Sequence, residues 1–169
     1  MSEKIPDDID RIVAQWNRER PDLDVMPMAL IGRLGRLREK IVREQEKIFA
    51  RFGLNSAGFD VLATLRRHGP PYALSPGALM DSMMITSGTV TNRIDQLEKA
   101  GLVSRDPNPE DRRSMIVALT PEGLKLIDEA VTAHVENQHR LVGQLSAPER
   151  AAFDDLARVF LARLEHQNG

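Results

Sequence analysis

Cysteine is absent from this 169-residue chain. That excludes disulfide staples, thiolate nucleophiles, thiolate metal sites and cysteine-based redox sensing together. Aromatic residues are almost as scarce, at 4%, with one tryptophan, Trp16, and one tyrosine, Tyr72. A core with so few rings must rest on aliphatic side chains, and the place of each ring becomes informative. No apolar run approaches the ~18 residues that a membrane span needs, so no membrane partner is expected. The opening MSEKIPDDID lacks the basic start and apolar centre of a secretory signal, which leaves the cytoplasm as the expected compartment. A surplus of charge of one sign is missing too, the formal net charge being −2. Nucleic-acid binders usually carry a basic excess, so overall charge gives that function no support. His68, His134, His139 and His166 form no pair at a spacing of three or four, and a metal site has no support either. GRLGRL at 32–37 is neither a phosphate loop nor a dinucleotide fingerprint, and no nucleophile–base pair stands out. Neither an enzyme nor a cofactor is expected.

What is present is helical periodicity with regular punctuation. Ile9, Ile12, Val13 and Trp16 recur at three- and four-residue steps near Asp8 to Glu19, before Pro21. A long second helix runs from about Pro27 to Phe52 on a stripe of Leu30, Leu34, Leu37, Ile41 and Ile48. Gly32 and Gly35 lower its helicity and could instead permit close helix packing. Asn55 caps a third helix with Phe59, Leu62 and Leu65 inward. Ser75-Pro76 opens a short fourth, and Thr86 or Ser87 opens a fifth that Gly101 ends. The segments 101–105 and 114–119 read as two short strands joined by DPNPEDRR, a loop long enough to suggest function. Thr120-Pro121-Glu122 and Ser146-Ala-Pro-Glu149 then open two final helices, the last with Phe153, Leu156, Phe160 and Leu164 aligned.

Five helices, a hairpin and two helices make a mainly α chain with a small β-hairpin. A short helix, a turn, a second helix and a hairpin together form a winged helix-turn-helix. On a helical wheel Val90, Ile94 and Leu97 cluster on one side of the fifth helix, while Gly88, Thr89, Asn92 and Gln96 fall opposite. Small and polar residues there suit approach to base edges and phosphates, and Asn92 is of the residue type that makes a bidentate contact to adenine. The plainer alternative is a surface helix with a polar outer face. Arg112 and Arg113 at the hairpin tip suit a narrow minor groove, or else form a solvated turn in which Asp111 pairs with an arginine. Charge does not arbitrate, because residues 86–113 hold five basic and five acidic side chains.

The stretch TVTNRIDQLEKAGLVSRDPNPEDRRSMIVALTPEG, residues 89–123, resembles the recognition helix and wing of the MarR family of transcriptional regulators. The LEKxGLVxR element, the DRR element at Asp111-Arg112-Arg113 and Leu119-Thr120 carry the likeness, and the order of helices agrees over nearly the whole chain. The resemblance implies a homodimer held by its N- and C-terminal helices, each lobe reading half of a palindromic operator. It implies DNA contacts from Ser87, Gly88, Thr89, Thr91, Asn92, Gln96, Arg112 and Arg113, with Asp111 orienting Arg113. It also implies an effector that weakens DNA binding. Residues 1–54 would then serve dimerisation and the effector pocket, 55–120 the DNA-binding domain, and 121–169 further dimerisation.

An additional first helix containing Gln15-Trp16, followed by RERPDLD, is similar to the urate-responsive, PecS/HucR-like branch. That likeness implies ligand binding by Trp16, Asp60, Arg67 and Arg93. Asp60 and Arg67 are two turns apart, ~10 Å along one helix face. Arg93 falls ~65° from the apolar centre of its helix, on the flank, where it can turn inward. A tryptophan face and two guanidiniums suit urate or a related anionic purine. Alternatively, Trp16 is a packing anchor at a dimer interface, and the charged trio forms a structural ion-pair network or meets phosphates. The expected function is a ligand-responsive regulator, a repressor in which ligand pulls Arg93 and tilts the recognition helix. A DNA-binding dimer without a purine effector, and a helical interaction dimer that has lost DNA binding, remain the alternatives.

Overall fold

A computed structural model describes residues 6–83, 87–108 and 114–166 of the chain. The chain divides into two compact units, residues 1–44 and 45–169.

In the first unit, helix α1 (Asp8–Glu19) begins at Asp7, whose carboxylate accepts the amides of Ile9 and Asp10 while Asp10 accepts the amide of Asp7. Acidic side chains at this end complement the helix dipole. Helix α2 (Met26–Ala50) starts in this unit, and Arg33 on it donates to Asp7 at 2.8 Å and to Asp10 at 2.6 Å. The Arg33 hydrogen bond holds the Asp7 carboxyl down at about 2. Ile9 is buried over Gly32, where a Cβ would approach its Cδ1 to 3.2 Å. Gly32 thus permits the close packing expected of it. A Cβ on Gly35 would meet nothing within 4 Å.

In the second unit, α3 (Ser56–Arg67) starts where Asn55 Oδ1 accepts the Gly58 amide at 2.8 Å. Glu46, near the end of α2, accepts both the amide and the hydroxyl of Ser56. There follow β1 (Ala73–Leu74), α4 (Pro76–Met83), α5 (Ser87–Lys99), β2 (Val103–Pro107), β3 (Met115–Leu119), α6 (Pro121–Val142) and α7 (Ala147–His166). The wing is a three-stranded antiparallel sheet in the order β1-β3-β2, with Ala73 opposite Ala118 and Arg105 opposite Val117. Strand β1 is an addition to the expected hairpin. Two residues are too few to show a period, and they become a strand only by pairing with β3. The turn before β1 places Tyr72 at φ 59, a left-handed conformation unfavourable for a side chain. Its amide donates to Gly69, its carbonyl accepts from Leu119, and the Arg66 guanidinium lies 5.0 Å over its ring.

One apolar core binds these elements. Val61, Leu62 and Leu65 of α3 are fully buried against Leu79 of α4, Ile94 and Leu97 of α5, Val103 and Val117 of the wing, and Ile127 and Ala130 of α6. Each large aliphatic side chain so buried contributes about 2 kcal/mol. Arg66 adds a tie from α3 to Asp128 of α6 at 2.6 Å.

The tightest approach lies between the end of α5 and the start of α6. Thr120 caps α6, accepting the Gly123 amide at 3.0 Å while its hydroxyl donates to the Gly101 carbonyl at 2.8 Å. Its own amide donates to the Leu102 carbonyl at 3.1 Å. A Cβ built on Gly123 would fall 1.9 Å from that same carbonyl oxygen. The Leu119-Thr120-x-x-Gly123 pattern is therefore a packing requirement.

Helix α7 behaves differently. Ser146 donates its amide and hydroxyl to Glu149 at 2.8 and 2.7 Å, but no residue of the helix is buried. The aligned Phe153, Leu156, Phe160 and Leu164 stay open to solvent in the single chain, Leu156 to 70%.

Substituting Gly123→Ala should cost on the order of 3 kcal/mol, because backbone must move to admit the methyl group. A urea unfolding midpoint equal to that of the parent chain would contradict the packing described.

Candidate nucleic-acid interface and ligand site

Helix α5 is set by its inward residues. Ile94 and Leu97 are buried, while Thr91, Asn92 and Gln96 lie exposed on the other side. Ser87, Gly88 and Thr89 occupy its first turns, with side chains outside the described residues. Thr86, Asp111, Arg112 and Arg113 also lie outside them.

The neutral charge count of this segment has a structural cause. Arg105 on β2 bonds Asp95 and also Glu98, the latter at 3.0 Å, both on α5. Asp106 accepts the Ser104 hydroxyl at 2.8 Å. One guanidinium thus engages two of the five carboxylates, and the trio keeps a charge of −1. Sequence reasoning missed this role of Arg105, although its place two residues from the buried Val103 puts it on the same strand face.

A second polar cluster forms around Asp60 on α3. The side chain reaches the surface, yet desolvation of its carboxyl is the largest influence on it and raises its pKa. Arg93 from α5 opposes that rise most, then Arg67, then His134 from α6, whereas Glu46 from the end of α2 reinforces it. Asp60, Arg67 and Arg93 therefore share one electrostatic neighbourhood. Arg67 is engaged as well, its Nη2 donating to the Ser82 carbonyl at 2.8 Å.

His134 was not foreseen here. Its ring stacks on Phe49 and lies tilted against Phe59, at centroid distances of 5.2 and 4.9 Å. Its Nε2 lies 2.8 Å from the Gln138 amide, and its buried Nδ1 has no hydrogen-bond partner among the described residues. Burial lowers its pKa, and Asp60 partly restores it. A lone histidine without a partner at helical spacing gave no signal, because the contact comes from packing α6 on α3. Trp16 belongs to the first unit, where its ring is 43% exposed. That unit also has a hollow of ≈ 320 Å³ lined by Ile9, Leu37 and charged residues, none of them a predicted site residue. Among the described residues no histidine and carboxylate cluster could hold a metal ion.

The chemistry offered around Asp60 is anion recognition. Arg93 and Arg67 both act on a carboxyl that burial already disfavours, so the neighbourhood has the charge to attract an anion, whose arrival would promote protonation of Asp60. A carboxyl with a raised folded pKa adds a cost that grows as pH rises from its unfolded value, 3.8, through the folded one and is constant above. Asp60→Asn should therefore raise the thermal midpoint of the unliganded chain at pH 7. The gain should shrink on acidification toward pH 4; melts at the two pH values that differ equally, or a loss at pH 7, would contradict this.

Residues 54–115 match the model of the MarR family. The chain is 44% identical to the HTH-type transcriptional regulator PecS of Dickeya dadantii, covering 94% of this chain and 93% of that one. Among solved structures it is similar to a mutant of the Escherichia coli MarR protein complexed with operator DNA, with 25% identity and a TM-score of 0.68 over 86% of this chain and 97% of that one. It is also similar to BpsR of Bordetella bronchiseptica, at 30% identity and a TM-score of 0.61 over 75% and 91% of the two chains. The BpsR structure concerns the regulation of its DNA binding by 6-hydroxynicotinic acid.

Proposed function

We propose, for a chain that belongs to the MarR family of DNA-binding transcriptional regulators, that it represses from palindromic operators as a homodimer and is released by an anionic purine such as urate. It is a regulator and not an enzyme. The exposed face of α5 supplies the reading surface, Asn92 and Gln96 reaching base edges and Ser87, Gly88, Thr89 and Thr91 approaching the backbone. Arg112 and Arg113 enter the minor groove from the wing, with Asp111 orienting Arg113. A second copy of the chain covers the apolar face of α7, since a soluble monomer rarely exposes so continuous a patch. Two-fold symmetry then sets the two α5 helices ~34 Å apart, on successive major grooves.

The observation that carries the effector reading is that Arg93 of α5 and Arg67 of α3 both act electrostatically on the carboxyl of Asp60. A planar anion there draws Arg93, which sits on the recognition helix itself, away from its DNA-ready position. The stacking role of Trp16 rests on the sequence resemblance alone, and its fluorescence is the natural reporter. The regulation of BpsR by 6-hydroxynicotinic acid supports a planar heterocyclic anion and makes an aromatic carboxylate the second candidate. The cytoplasm is the compartment in which such a regulator works.

The test uses a duplex that the wild-type chain selects from a random pool. Urate should weaken binding to it 5–150-fold, corresponding to a coupling of about 1–3 kcal/mol. Unchanged affinity at saturating urate, xanthine and 6-hydroxynicotinate would remove the effector reading and leave DNA binding standing. Release by the nicotinate alone would replace the purine with an aromatic acid.

On the same duplex, Arg113→Ala should lower affinity and reduce the slope of log affinity against log salt by about one ion. Wild-type affinity and slope would remove the wing contact.

A further inference from the structure

Helix α4 is tied to α3 close to its last described residue. A basic side chain suits the carbonyl end of a helix. Among its described residues α4 carries one charged side chain, the acidic Asp81. The cation comes from α3. Arg67 Nη2 donates to the carbonyl of Ser82, the penultimate residue of α4, at 2.8 Å. Its neighbour His68 reinforces the contact. His68 Nδ1 lies 2.8 Å from the Thr64 carbonyl and so carries the ring proton. Its Nε2 is then an acceptor, 3.4 Å from the Ser82 hydroxyl. Arg67, the last residue of α3, and His68, which caps it, thus hold the same residue of α4.

We infer that Arg67 is a positioning residue for DNA reading: it holds Ser82 of α4, and α4 packs against the recognition helix α5. Leu79 of α4 shares the buried core with Ile94 and Leu97 of α5, so a loosened α4 shifts the support on which α5 rests. This role needs no effector. It also gives an anion near Asp60 a second route to the DNA, because a guanidinium drawn toward that anion releases the Ser82 carbonyl.

The experiment compares Arg67→Ala, Arg67→Lys and the parent chain without any small molecule, on the duplex selected by the parent chain. Arg67→Ala should bind about tenfold more weakly, as expected for a lost charge-assisted hydrogen bond. The slope of log affinity against log salt should be unchanged. Hydrogen exchange should quicken in residues 80–83 of α4 and not in α6. Arg67→Lys keeps a cation able to reach the carbonyl and should restore most of the affinity and protection. Parent-like affinity and exchange in Arg67→Ala would overturn the inference. So would a slope lowered by about one ion, which would make Arg67 a direct phosphate contact. If Arg67→Ala does not fold, Arg67→Met, which keeps the stem without the donor, takes its place with the same outcomes. None of these results depends on a purine, so failure here and failure of the effector reading are separate.

Discussion

The contact on which the rest of the second unit depends is the approach of the Gly123 backbone to the Leu102 carbonyl. A helix that reads DNA is useful only if its angle is held by something that does not bend. Here the end of α5, the start of the wing and the first turn of α6 meet where no side chain can intervene. Thr120 closes the junction from both sides, capping α6 and bonding Gly101 and Leu102. Arg105 then ties the wing back onto α5 through Asp95 and Glu98. Recognition helix, wing and α6 consequently move together, and a displacement at one is felt at the others.

Set against that rigid junction, the polar cluster around Asp60 is the adjustable part. Its charges come from the end of α2, α3, α5 and α6, and burial opposes the ionised form of its central carboxyl. The orphaned Nδ1 of His134 and the lowered pKa of that ring mark the same neighbourhood as incompletely satisfied. In the effector reading proposed above, a ligand recovers free energy from such groups and thereby couples its binding to the attitude of α5. The caps at Asn55, Thr120 and Ser146 show the opposite behaviour, being satisfied locally.

Much of this was legible in the sequence, for identifiable reasons. Helix ends are announced by nearby residues, so the caps and the inward stripe of Phe59, Leu62 and Leu65 could be read directly. The winged helix-turn-helix followed from the order of elements. Hidden features were those made by distant partners. Strand β1 exists only through β3, and Arg105 reveals its role only when folded beside α5. His134 becomes part of the Asp60 cluster only through the packing of α6 on α3. The sequence resemblance assigns Arg67 to a ligand site, whereas its bond to Ser82 was not legible. The apolar spacing of α7 was plain, but its exposure in one chain points to a partner whose identity no single sequence displays.

The most direct test of the proposed symmetric dimer is the sequence and stoichiometry of the DNA that the chain chooses. Selection from a random pool, followed by the mass of the resulting complex, gives both at once. Expected is a palindrome with half-site centres about 10 base pairs apart, bound by two chains, one for each recognition helix. An asymmetric site occupied by a single chain, or a pool that shows no enrichment, would contradict the reading.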